Sequence, residues 1–161
     1  MEQDQARQSA FELFQEAYRL QMAGELPEAL KLYTRSIELH ATAEAYTFRG
    51  WTHSFMGSVD EAIADCQRAI EVDPDFGNPY NDIGAYLIEK GQLDEAIPWL
   101  EKAQHARRYE ARQFPHANLA RIYERKGDWH RAIAEYQEAL NLEPGYEHAA
   151  KALSRLRGML N

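Results

Sequence analysis

The chain has a single cysteine, Cys66. An internal disulfide is thereby excluded, and nothing asks for an oxidising compartment. In the slot it occupies, Cys66 is read as a small buried hydrophobe and not as a reactive thiol. No apolar run approaches the ~18 residues of a membrane-spanning helix. The first residues, Met1 to Ser9, are polar and lack an apolar signal core, which argues against export by that route. These absences together point to a reducing cytoplasm as the expected location. Strand-like alternation between turn signals is missing, so no Gly-rich loop can open a helix after a strand to cradle a phosphate. The few serines include none in a G-x-S-x-G elbow. The histidines, His40, His53, His105, His116, His130 and His148, do not match the spacing of H-E-x-x-H. No catalytic residues, metal site or cofactor are expected, and the chain is not read as an enzyme.

Positive charge is also scarce. The formal net charge is −8, which argues against nonspecific binding of nucleic acid or an anionic membrane. The deficit is uneven. Residues 1–100 carry 7 Lys/Arg against 18 Asp/Glu, whereas residues 101–131 carry 8 against 4. The basic stretch comprises Lys102, Arg107, Arg108, Arg112, Arg121, Arg125, Lys126 and Arg131. Two readings stand: a solvated helix face and loop, or a docking point for an acidic segment of a partner.

What the sequence does have is a repeat. Gly24, Gly57, Gly91 and Gly127 lie 33, 34 and 36 residues apart. Each is followed five residues later by an alanine: Ala29, Ala62, Ala96 and Ala132. Four residues further stand Tyr33, Cys66, Leu100 and Tyr136, and then small residues at Ser36, Ala69, Ala103 and Ala139. Seven residues before each glycine the residue is small again: Ala17, Gly50, Gly84 and Ala120. A small residue on a first helix lets a second helix cross at close range. The glycine stops the first helix, because it reaches the left-handed cap conformation without a Cβ penalty. Pro74 and Pro144 stop second helices.

This order of small and large residues at a period near 34 resembles the tetratricopeptide repeat, a helix–turn–helix unit. The resemblance covers about residues 10–146. It implies an all-α fold, a right-handed α-solenoid of four units in one domain, with repeats at about 10–42, 43–76, 77–110 and 113–146. Departures are visible. His53 stands where the family favours tyrosine and is expected to pack in that slot. Arg108 stands where a proline is expected, and Ala111 and Arg112 are extra. The third repeat is therefore expected to have a lengthened second helix, roughly Asp94 to Tyr109, with Pro98 in its first turn and Asp94 as cap. The pairs Asp60–Glu61 and Asp94–Glu95 are expected to cap second helices and meet the positive end of the dipole. In 147–161, Ala149, Ala150, Leu153 and Leu156 recur at helical spacing, as in a capping helix that closes a solenoid end.

Such folds bind other chains far more often than they do chemistry. The resemblance implies that first helices line a concave groove in which a protein partner lies as an extended or helical segment. Helical phase picks the groove face. It offers Phe48, Trp51 and Phe55, with Thr47, in repeat two; Asn78, Asn81, Asp82, Ala85 and Glu89 in repeat three; and Phe114, Ala117, Asn118, Arg121 and Arg125 in repeat four. The expected contacts are apolar residues on Phe48, Trp51 and Phe55, backbone on Asn78, Asn81 and Asn118, and a carboxylate on Arg121 and Arg125. Phe11, Phe14 and Tyr18 form a second apolar stripe on the first helix. They stand equally as core, as groove or as the edge of a self-assembling homo-oligomer. Heat-shock co-chaperones of this family clamp a carboxylate with cationic residues on first helices. The matching places here hold Phe14, Tyr18, Phe48, Asn78 and Asp82, or Thr47, Trp51, Asp82, Phe114 and Asn118. Neither set is cationic, so that activity is not expected. A general likeness to small acidic chaperones of bacterial secretion systems is the remaining alternative.

Overall fold

The computed structural model describes residues 1–161. Nine helices follow one another: α1 Glu2–Met22, α2 Leu26–Leu39, α3 Ala43–Phe55, α4 Val59–Val72, α5 Asn78–Glu89, α6 Leu93–His105, α7 Gln113–Arg125, α8 Trp129–Leu142 and α9 Glu147–Leu160. The first eight pair into hairpins, α1–α2 to α7–α8, and α9 closes the array against α8. The architecture is an all-α helical-repeat solenoid.

The hairpin turns share one construction. Gly24 has φ +82° and stands just past the end of α1. Its N–H donates to the Gln21 carbonyl, and the N–H of Glu25 donates back to Leu20. This paired cap satisfies carbonyls that the helix leaves without partners. The same pair of bonds recurs at Gly57, Gly91 and Gly127, each at positive φ.

Close helix crossing follows from the small residues. Ala17 and Ala29 are fully buried with Tyr33, and Ala120 and Ala132 with Tyr136. A β-carbon added to Gly84 would stand 2.3 Å from Leu100 Cδ2 and 2.5 Å from its Cγ. Cys66 is fully buried in the central cluster with Ile83, Leu87 and Leu100, and burial pushes its thiol pKa well up. The α3–α4 hairpin also buries a charge. Asp65, 1 % exposed, accepts two bonds from Arg49, at 2.8 and 2.7 Å, and a third from Arg68. His53 is half-buried, with Nε2 3.8 Å from Asp65 Oδ2.

Four expectations are corrected. First, α6 ends at His105, not Tyr109. Ala106 turns to an extended backbone (φ −63°, ψ 138°), and Arg108 pairs backbone to backbone across Asp75 and Gly77. Without a proline, the chain leaves the helix to make this bridge. Arg108 then spans to Glu44 and Asp73 and lies 4.3 Å from the centre of the Phe76 ring. Second, α6 begins at Leu93 with Gln92 as cap, so Pro98 lies inside the helix beyond the first turn. Third, Asp60 and Asp94 occupy first turns but make no capping bond. They reach instead to the following hairpin, Asp60 to Lys90 and Asp94 to Lys126. Fourth, α9 buries Ala149, Ala152, Leu153 and Leu156, while Ala150 is exposed. No helix is long and apolar enough to cross a membrane.

Candidate peptide-binding groove

The first helices of successive hairpins touch: α1 meets α3, α3 meets α5, and α5 meets α7. The second helices do not meet one another to a comparable degree. The array therefore curves with α1, α3, α5 and α7 on its inner side. A cavity of about 330 Å³ opens there. Tyr18, Phe48, Trp51, Tyr109 and Phe114 form its aromatic walls, and Asn78, Asn81 and Asp82 are its polar lining.

The aromatic wall continues along the helices. Tyr18 and Phe14 meet Phe48 edge-on, at 5.7 and 5.5 Å between centroids. Phe48 packs on Trp51 at 5.8 Å, and Trp51 on Phe55 at 5.3 Å. Phe48 and Trp51 are half-buried, so each keeps ring surface toward the cavity. Phe55 is 57 % exposed and extends the stripe beyond the cavity rim.

The polar side is an ordered relay. Arg121 Nη1 donates to Asn118 Oδ1 at 3.0 Å, and Asn118 Nδ2 donates to Asn81 Oδ1 at 3.0 Å. A guanidinium has only donors, so Asn118 must turn its carbonyl to Arg121 and its amide to Asn81. Asn81 is thereby turned too, with its own amide nitrogen left over. Burial pushes the Asp82 carboxyl up to about 7, the adjacent Asn81 amide opposing the rise without cancelling it. Asp82 takes part in no ion pair, and no basic residue lines the cavity.

A second depression, about 430 Å³, lies over α7, α8 and α9. Arg121, Arg125 and Arg155 line it, with Glu124. Glu124 is engaged: its oxygens accept from Tyr136 at 2.7 Å and Arg155 at 2.6 Å. Arg125 is partly engaged, donating to the Ile88 carbonyl at 3.2 Å.

The residues named from the sequence thus divide. Phe48, Trp51, Asn78 and Asn81 line the aromatic cavity, Asn118 stands behind them, and Arg121 and Arg125 line the neighbouring depression. The first-helix stripe splits. Tyr18 joins the cavity. Phe14 is held between Tyr33 and Phe48. Phe11, 53 % exposed, faces a cleft beside His40 and Glu44. The basic stretch does not form one patch. Arg108, Arg112, Arg125, Lys126 and Arg131 bind acids or carbonyls within the chain, and Lys102 lies 4.7 Å from the centre of the Trp99 ring. Tyr109 and Ala111 also line the cavity. No helical phase could have placed them there, because they belong to the non-helical joint between α6 and α7.

Profiles of the tetratricopeptide repeat match residues 43–76, 66–97 and 114–146, together more than half of the chain. This protein belongs to the tetratricopeptide repeat family. Among curated relatives, it is 30% identical to small glutamine-rich tetratricopeptide repeat-containing protein 2 of Mycosarcoma maydis, over 62% of this chain and 28% of that one. It is 32% identical to Hsp70–Hsp90 organizing protein 1 of Glycine max, over 58% of this chain and 15% of that one. The chain thus spans less than a third of the length of these relatives. Among solved structures, Pseudomonas aeruginosa pilF superposes with a TM-score of 0.86 at 18% identity, over 97% of this chain and 69% of that one. The type IV pilus biogenesis factor PilW superposes with 0.84, also at 18% identity, over 93% and 69%. At this identity the likeness speaks to fold alone.

Proposed function

We propose that this protein is an interaction adaptor that holds a segment of a partner protein along the inner face of the solenoid. The observation that carries the reading is the cavity between α1, α3, α5 and α7, where half-buried Phe48 and Trp51 keep ring surface uncovered. A monomeric fold rarely leaves contiguous aromatic surface open unless something covers it. Apolar side chains of the segment would lie on Phe48, Trp51 and Phe55. Its backbone would meet Asn78 and Asn81, which Asn118 holds in place from behind, and an acidic residue would reach the depression with Arg121 and Arg125. The co-chaperone relatives favour a peptide-binding adaptor, but a cationic carboxylate clamp is not part of the reading: the cavity contains no Lys or Arg.

The test uses phage-displayed random peptides selected on the immobilised full chain, with affinities of synthetic peptides then measured by fluorescence anisotropy. Trp51→Ala should weaken binding by about 2 kcal/mol or more, the size usual for an aromatic hot spot. Its melting temperature should stay near that of the parent. Binders that are indifferent to Trp51→Ala would remove the groove from the account.

A further inference from the structure

We propose that the aromatic cavity is a receptor for one cationic side chain, a lysine or arginine of the bound segment, held between Asp82 and the rings of Trp51, Phe48 and Tyr18. The inference rests on the groove reading above and names what its central pocket selects.

Three observations converge on it. Asp82 stands on the inner face of α5, half-buried, and it lines the cavity with five aromatic residues. It has no cation within the chain. Other acids that reach across between helices have one: Asp65 has Arg49 within its own hairpin, and across repeats Asp60 has Lys90, Asp94 has Lys126, and Asp73 and Glu44 share Arg108. Finally, the polar side chain that eases its burial is a neutral amide, Asn81, whose orientation the Arg121–Asn118 relay fixes.

Chemistry then decides the occupant. A desolvated carboxylate without a counter-charge is costly, and a cation arriving from outside relieves that cost. Aromatic faces attract a cation further through the ring quadrupole, most strongly for tryptophan and when water is excluded. An aliphatic lysine or arginine stem suits apolar walls while its charged end reaches the acid. A carboxylate is the wrong guest, since it would meet Asp82 with like charge. The elevated carboxyl pKa of Asp82 agrees with an acid waiting for its partner.

The experiment selects the same random-peptide library on wild type and on Asp82→Asn. Enriched peptides are then resynthesised with each Lys or Arg replaced by norleucine, and affinities are measured on both proteins and on Trp51→Ala. Wild type should enrich Lys or Arg at one position, and norleucine there should weaken binding by roughly tenfold or more. On Asp82→Asn the same replacement should change affinity less than about twofold. Asp82→Ser serves in place of the amide if thermal melts show that Asn does not fold. Peptides that bind in a Trp51-dependent way with no Lys or Arg preference, or with one that survives loss of Asp82, would overturn the cation pocket and leave the groove standing. A library that yields no Trp51-dependent binder would overturn both.

Discussion

The Tyr109 side chain lies directly on Gly77: a β-carbon at Gly77 would stand 2.4 Å from both Cβ and Cγ of Tyr109. This contact joins the start of α5 to the joint that follows α6. It holds one aromatic wall of the cavity in place, beside the backbone bond from Gly77 N to the Arg108 carbonyl at 3.0 Å. Gly77→Ala should therefore push the joint away and cost about 1–3 kcal/mol, the range for overpacking a tight site. A thermal melt gives the cost. A melt identical to the parent would show that the joint moves freely, and Tyr109 would then lose its place as a wall.

Gly84 sets the α5–α6 crossing. Its Cα faces Leu100 so closely that even one added methyl meets Leu100 Cγ at 2.5 Å. Gly84→Leu should separate these helices and destabilise the neighbouring hairpins, because each repeat is stabilised from both sides. Circular dichroism should show a melting temperature lowered by several degrees or more, and an unchanged curve would refute this view of the crossing.

Asp65 anchors α3 to α4 through Arg49. Asp65→Ala leaves the half-buried Arg49 without its two bonds, and breaking such a pair costs about 3–5 kcal/mol. Chemical denaturation should report a loss of that order. A loss below about 1 kcal/mol, as for an exposed pair, would mean that water replaces the carboxylate there.

Asp82 makes stability depend on pH in an unusual direction. Its carboxyl pKa is raised from 3.8 to about 7 in the folded chain by burial. Between those values the native state keeps a proton that the unfolded chain has released, so stability falls as pH rises. The loss begins near pH 4, is complete above about pH 7, and is at most about 1.4 kcal/mol per pH unit. The groups that feel this charge are Tyr86, Tyr109 and Cys66, none of them basic. Asp82→Asn should remove this component, so the variant's advantage in denaturation free energy should widen from pH 4 to pH 7 and then level off. Parallel profiles for the two proteins would contradict it.

Phe11 and Phe14 separate core from edge. Phe14 packs on Tyr33 and Phe48, so Phe14→Lys should lower the melting temperature. Phe11 is exposed, so Phe11→Lys should leave it unchanged. If the first helix is a self-association edge, Phe11→Lys should also convert oligomer to monomer by light scattering. A parent chain that is monomeric at high concentration removes that edge.

Much of this protein was determined by local sequence rules. The positive-φ glycines, the small residues at crossings and the apolar phase of each helix depend on neighbours within one hairpin, and the repeat writes the same solution several times. The inner-face positions of Phe48, Trp51, Asn78 and Asn81 follow from helical phase alone. Tertiary structure decided the rest. The joint after His105 is extended because Arg108 finds its backbone partners more than thirty residues away, a distance that no helical period encodes. The same bridge brings Tyr109 to the cavity. The basic residues of 101–131 form no patch because half of them, Arg108, Arg112, Arg125 and Lys126, find acids or carbonyls on other elements. Asp82 is one acid among many in the sequence; only folding shows that it has been left without a cation, facing aromatic rings.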